Sequence, residues 1–346
     1  MICAADEVAA QLQYLRLFHR RRLQPVSNSK QSGEVLADRA TFTQDYVTDI
    51  VACTDCGLVF RTPHPSAEAI TDAYEHDHYG QARLASLFAA QLHSYRPKAR
   101  SLGRWLPTDR KIRIVEIGSF VGGFLAAGQE RGWEMLGVDP GFEVSAFCWE
   151  KGLSVFRGTL AEMPIKVNSV DCIAIWNTFD QLPDPLVTLS TVCRLLRPGG
   201  ILILRIPNGE CFRWAVAQLR TLSGPLTMWL RATLAWNNLL AFPYLYGYSM
   251  RTLDHLLKSY GFTQIAVRGD TLIQLADQQT KPWAIVEERV LKSFCALATT
   301  VEQYRPKSQM KMTPWLDVYY RQALVSETVE QPGLNVSPLW AAPVGS

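Results

Sequence analysis

Hydrophobic positions change rhythm along the chain. From Arg113 onward, short apolar runs alternate with longer segments of mixed spacing. The runs 113-RIVEIG-118, 134-EMLGVD-139, 154-SVFRGT-159, 170-VDCIAIWN-177 and 201-ILILRIP-207 predict strands. Helix-length segments at 123–131, 143–152 and 185–197 separate them, which predicts an α/β fold with a parallel sheet covered on both faces. Upstream, Val8, Leu12, Leu15 and Phe18 recur at helical spacing within 4–22, and 25-PVSNSKQSG-33 reads as a polar linker. Two short strands, 46-YVTDIVAC-53 and 57-GLVF-60, are expected to join through CTDC, and 66–105 reads as mainly helical.

Beyond the fifth run, a long helical insertion is expected near 209–240, and 249-SMRTLDHLLKSYG-261 predicts a helix stopped at glycine. The segment 262-FTQIAVRGDTLIQLA-276 predicts two strands joined at Gly269-Asp270, hence an antiparallel pair. Residues 282–304 predict a further helix, and the Pro-rich end after 331 is expected to be loose. The expected division is an N-terminal helical arm and CxxC hairpin (1–105), a core (106–280) with an inserted cap at 209–248, and C-terminal helices with a loose tail (281–346).

Composition acts mainly by exclusion. The 346 residues are 48% apolar and 19% charged, and 35 basic against 32 acidic residues leave +3. Nucleic acid as a partner calls for a strong, localised basic excess, which this balance lacks. The one dense basic cluster, 19-HRRRL-23, ends a predicted helix, where it complements the helix dipole. The most apolar segment, 226–246, is interrupted by Arg231, Asn237, Asn238 and Pro243, short of the roughly 20 residues a spanning helix needs. With no secretory signal and eight scattered cysteines, a cytoplasmic location is expected.

The candidate chemistry sits in 115-VEIGSFVGGFLAAG-128. In an open parallel sheet the ligand crevice lies at the carboxyl ends of the strands, beside the switch in strand order. Gly118 and Gly122 let the backbone approach a ligand, and the following helix offers unpaired N–H groups. About twenty residues downstream Asp139 ends the second strand, where a carboxylate can accept both hydroxyls of a ribose. A nucleoside-containing ligand is therefore expected. A dinucleotide fits poorly, because Phe120 stands where the second glycine of Gly-x-Gly-x-x-Gly would be, and Glu116 sits badly near two phosphates. S-adenosylmethionine fits better: it has no phosphate, and its ammonium favours an acid.

These residues resemble the class I S-adenosylmethionine-dependent methyltransferases. Their first motif, acid-x-Gly-x-Gly-x-Gly, is matched by Glu116, Gly118 and Gly122, with Phe120 departing in the middle. Asp139 matches the family's ribose-binding acid, followed here by Pro140. The adenine-edge position matches 158-GTLAEMP-164, with Thr159 where an acid is common and Leu160 beside it. The fourth-strand region, Glu-His-x-x-Asp-Pro in the family, is similar to 180-DQLPDP-185, and 194-RLLRPGGILIL-204 resembles the fifth-strand turn. The resemblance covers roughly 110–276. It implies a Rossmann-like seven-stranded sheet, mostly parallel with an antiparallel last strand, carrying N-terminal and C-terminal helical additions. It also implies S-adenosyl-L-methionine as cofactor, held by Glu116, Gly118, Ser119, Phe120, Gly122, Asp139, Pro140, Thr159, Leu160, Asn177 and Thr178.

The acceptor side is less defined. Asp180, at the end of the fourth strand, is the candidate base, with Tyr244 and Tyr248 as acceptor contacts. The aromatic stretch 228–249 predicts a helical cap enclosing a small-molecule acceptor, the alternative being a helical pair packed on the body or a dimer partner. The segment 74-YEHDHY-79 is placed near the crevice mouth, with Tyr79 as a contact. CTDCGLVF resembles an N-terminal module that carries two cysteine pairs in many methyltransferases, but one pair lacks the four ligands of a structural zinc, so no metal is expected. Two other readings stay open: a non-catalytic binding or scaffolding protein, and a dinucleotide-dependent oxidoreductase. A homodimer is also compatible with the sequence.

Overall fold

The computed structural model describes residues 1–24, 46–271, 280–304 and 310–324. Helix α1 (Ala5–Arg22) precedes a hairpin of β1 (Asp49–Ala52) and β2 (Val59–Thr62), then α2 (Ala67–Glu75) and α3 (Gln81–Leu102). The alternating part follows as β3 (Arg113–Ile117), α4 (Gly123–Gln129), β4 (Glu134–Asp139), α5 (Phe142–Glu150), β5 (Val155–Arg157), β6 (Val170–Trp176), α6 (Pro185–Leu195) and β7 (Leu196–Pro207). The insertion supplies α7 (Gly209–Thr221), α8 (Pro225–Trp236) and β8 (Tyr246–Gly247). Then come α9 (Met250–Ser259), β9 (Phe262–Asp270), α10 (Pro282–Gln303) and β10 (Trp315–Gln322). No described helix is long and apolar enough to cross a membrane.

Continuous apolar runs, rather than alternating ones, mark strands buried on both faces. Every residue of β6 is buried, as is β7 from Gly200 to Pro207. Seven strands take the order β5-β4-β3-β6-β7-β10-β9, parallel from β5 to β7, with β10 antiparallel to both neighbours. The chain builds outward from β3 through β4 to β5, then restarts at β6 on the other side. That reversal opens a crevice at the carboxyl ends of β3 and β6. The sheet is Rossmann-like with its last strand antiparallel, as expected.

The location of that last strand differs from expectation. Residues 262–270 form one strand, running straight through Gly269, and its partner is β10, some fifty residues later. Gly269 serves packing here, since a Cβ would overlap the methyls of Thr299 and Thr313. The polar linker at 25–33, residues 272–276 and the tail after 331 lie outside the described residues.

Arg205 of β7 and Asp317 of β10 are charged groups within buried strands, and they answer each other. Arg205 of β7 is wholly buried; it donates to Asp270 Oδ2 at 3.2 Å and to the Thr271 carbonyl at 2.6 Å, with its Nε 3.8 Å from Asp317 Oδ1. Lys98 of α3 bonds Asp317 and reaches Asp270 at 2.5 Å, so one ionic cluster joins α3, β7, β9 and β10.

The hairpin and the insertion are joined. β2 pairs with both β1 and β8, and Arg61 donates to the carbonyls of Phe242 (2.9 Å) and Ala241 (2.7 Å). Trp236 packs edge-on against Phe18 of α1, and its Nε1 donates to Glu287 of α10 at 2.9 Å. The aromatic stretch therefore builds a second core between α1, α8 and α10, so the packed-pair alternative describes Trp236 better than a crevice wall does.

Candidate active site

The β3–α4 turn takes three left-handed residues: Gly118 (φ 70°), Phe120 (φ 47°) and Gly122 (φ 74°). Val138 of β4 accepts from the N–H groups of Gly118 (2.8 Å) and Ser119 (3.2 Å), folding the turn across the strand end. A Cβ on Gly118 would overlap Thr178 Oγ1, so glycine lets β6 close on the turn. Gly122 is demanded by packing as well: a Cβ would lie 2.5 Å from Leu153 and 3.0 Å from the Cys148 sulfur. Phe120 adopts the conformation a glycine would supply, which costs a bulky residue about 1–3 kcal/mol. Its N–H donates to Asp139 Oδ2 at 2.8 Å, and its ring meets Tyr79 edge-on at 5.1 Å. These contacts hold the strained residue in place.

Asp139 is nine-tenths buried at the tip of β4. Its second oxygen accepts from Gly141 N–H at 2.9 Å, so both oxygens are oriented by backbone while lone pairs remain. Burial raises its pKa to about 6, against the lowering effect of the two N–H bonds. Glu116 is buried one strand away, and burial, with the Asp139 charge adding, pushes its carboxyl well above the usual range. Among the described residues, Glu116 Oε2, Ser119 Oγ and Asn177 Oδ1 have no hydrogen-bond partner. Orphaned buried polar atoms converging on one turn are uncommon and fit a missing polar ligand. Pro140 is half-buried beside Asp139. At the β5 end, Leu160 is buried with Met163, while exposed Thr159 donates from both its N–H and Oγ1 to Glu162 Oε2 at 2.7 Å. An acid thus stands three residues from the position where the family places one.

A strap crosses the crevice. The Tyr74 hydroxyl donates to Gln181 Oε1 at the β6 end, while its carbonyl lies close above Gly141 at the β4 end. The N–H groups of Tyr79 and Gly80 donate to the Glu143 carboxylate at 2.7 and 2.8 Å. Residues 74–80 therefore bridge the β4 and β6 ends of the crevice.

On the acceptor side, the short 3-10 turn Phe179–Gln181 carries Asp180 inward. Asp180 is fully buried, neither carboxylate oxygen has a partner among the described residues, and burial raises its pKa to about 8. The Tyr248 ring lies tilted against Phe179 at 5.1 Å, and burial, with Tyr246 and then Asp180 adding, raises its hydroxyl well above the usual range. Thr178 bonds back to the Trp176 carbonyl at 3.2 Å. Tyr244 is a correction: its hydroxyl donates to the Asn238 carbonyl at 2.8 Å, and its ring packs on Trp315 inside the second core. Tyr244 is thus engaged within the second core, with its hydroxyl bonded to the turn at Asn238.

A family model described as "Methyltransferase domain" matches residues 78–267, more than half of the chain. The chain belongs to that family. S-adenosylmethionine is the methyltransferase's cofactor. No curated protein matches it in sequence. In fold the methyltransferase is similar to an S-adenosylmethionine-dependent methyltransferase from Archaeoglobus fulgidus (16% identity, TM-score 0.43, 67% of this chain and 94% of that one). It is also similar to one from Mesorhizobium loti (19%, 0.40, 67% and 100%) and to a plantazolicin methyltransferase bound to SAH (12%, 0.44, 74% and 95%). These scores leave the fold to be read from the chain's own strand order.

The site of the methyltransferase fits its cofactor by chemistry. A buried acid without a partner suits an ammonium, and an oriented carboxylate at the next strand end suits a diol. Sequence reasoning placed the segment of Tyr74 and the motif of Gln181 but missed their pairing, and it missed Glu143 and Glu162. Tyr74 and Gln181 are 107 residues apart and share no motif. Glu162 had a local signal, because an acid three residues after Thr159 can fold back on its N–H.

Proposed function

We propose that this enzyme transfers a methyl group to a small organic acceptor through an oxygen or an acidic carbon, with Asp180 as the base. The observation that carries the reading is the Asp180 carboxyl: wholly buried, without a partner among the described residues, at the crevice end of β6. Its pKa of about 8 keeps it close to the operating range of a general base. In this reading Asp139 receives the ribose hydroxyls and Glu116 the ammonium. Ser119, Asn177 and Thr178 line the sulfonium side, while Pro140, Thr159 and Leu160 border the adenine. Bound there, the cofactor supplies a methyl already activated for displacement. The protein positions the acceptor in line with it, and positioning alone provides much of the rate. Asp180 removes the acceptor proton as the bond forms, and Phe179 with Tyr248 closes the pocket behind it. Strap residues Tyr74 and Tyr79 exclude water from above. The Cys53–Cys56 hairpin is read as a two-thiol remnant without zinc, and the enzyme as cytoplasmic.

The test is Asp180→Asn, assayed as S-adenosylhomocysteine release across a panel of phenols, enols and carboxylic acids. Removing a general base should lower kcat by roughly 10²–10⁴-fold, with cofactor affinity unchanged within about threefold. Full turnover by the folded variant would remove Asp180 from the chemistry.

A further inference from the structure

Helix α10 carries its polar groups inward. Glu287 pairs with Arg22 and accepts from Trp236, Lys292 holds Glu288 at 2.5 Å, and Glu302 accepts from Thr313 at 2.9 Å. Leu291 packs inward, but six large apolar side chains face outward: Trp283, Val286, Val290, Phe294, Leu297 and Val301 are 46–63% exposed. Tyr304, which caps the helix, is 85% exposed. Helices on a protein surface show the opposite arrangement.

The outward stripe also has a symmetry. Trp283, Val290, Leu297 and Tyr304 are spaced by sevens, the repeat of a seam that meets another helix. Reflected about the point between Ser293 and Phe294, Trp283 falls on Tyr304, Val286 on Val301 and Val290 on Leu297. An antiparallel copy of the same helix would therefore meet apolar with apolar at each of these levels, the self-complementarity that a two-fold interface requires. We infer that α10 pairs antiparallel with α10 of a second copy of this chain, on an axis passing beside Ser293 and Phe294.

Area favours that occupant. Exposed Leu226, Met228 and Trp229 of α8 extend the patch, with the Trp229 and Phe294 rings 6.3 Å apart. Half-exposed side chains of this size and number present on the order of 900 Å². A typical monomer's largest apolar patch is about 300–600 Å², and a stable interface takes roughly 800 Å² from each partner. Charge disfavours a membrane surface, for which a helix shows a Lys/Arg-rich polar face to water. Arg289 is the one exposed charged residue among the described residues of α10.

Sedimentation equilibrium of the full chain should give about twice its 38.9 kDa at micromolar concentration. Val290→Glu with Leu297→Glu should raise the dimer dissociation constant at least 100-fold, leaving cofactor affinity and the circular-dichroism spectrum unchanged. Mild oxidation should cross-link Ser293→Cys into a dimer, against the untreated background of the eight native cysteines. Trp283→Cys should not cross-link to its copy, because antiparallel pairing sets the two about 30 Å apart. A wild-type chain that stays monomeric at 100 micromolar, with or without pelleting on phosphatidylserine vesicles, overturns the inference. So does a dimer indifferent to both glutamates, or one linked through Trp283→Cys. Should the double variant misfold, the two cysteine variants decide alone.

Discussion

Asp139 and Asp180 are both buried carboxyls at strand ends, yet their surroundings give them different work. Asp139 is fixed by two backbone N–H groups, from Phe120 and Gly141. Asp139→Ala should weaken S-adenosylmethionine binding by about 1.5–3 kcal/mol, the scale of hydrogen bonds to a charged group. Asp139→Asn should do little better, because its amide puts a donor against an N–H; calorimetry on the folded variants checks both. Asp180 lacks such support, and its folded pKa of about 8 stands above the ordinary 3.8. The folded state therefore binds that proton more tightly than the unfolded chain. The stability this contributes is full below pH 3.8 and is lost as pH rises toward 8. The melting temperature of Asp180→Asn should accordingly gain on the wild type across that window, by about 2 °C or more at the alkaline end. The turn at 115–128 was legible in the sequence because glycine spacing reports backbone demand. Phe120 was not, since a residue strained into the left-handed region is identified only by contacts such as Tyr79, 41 positions away.

Helices α7 and α8 show where pattern reading stops. Their aromatic density suggested a wall for the acceptor, but apolar periodicity cannot say which neighbour a face will meet. Trp236 meets Phe18 and Glu287, from opposite ends of the chain. Trp236→Ala should destabilise the fold by about 3–5 kcal/mol, the cost of emptying a large core site. Urea unfolding measures this, and cofactor affinity of the remaining folded protein should be unchanged. Loss of cofactor binding without loss of stability would return Trp236 to the crevice. The strands β3, β4, β6 and β7 were legible because short, mostly apolar runs recur there between helix-length segments, and the three-residue β5 was legible from its place in that alternation. β10 was hidden because Asp317, Arg321 and Gln322 break its run, and a Gly-Asp pair upstream imitated a hairpin turn.

At the scale of the whole molecule, the ionic cluster of Arg205, Lys98, Asp270 and Asp317 fastens the late-arriving strand to the rest. Removing one partner strands the others in a buried site. Asp317→Ala should therefore cost about 3–5 kcal/mol in urea unfolding, whereas a loss under 1 kcal/mol would show that water reaches the cluster. The strand order has a further effect, on biosynthesis. β7 is complete at Pro207, but the strand that covers its open edge begins at Trp315. At ordinary rates of translation that edge waits roughly 5–20 s for its partner. During that interval the stretch from Ile201 to Ile206, apolar except for Arg205, presents unpaired backbone to any other nascent chain. The ribosome thus releases the crevice strands long before their shield, and yield in a heterologous host should depend on chaperone supply more than on the stability of the finished enzyme.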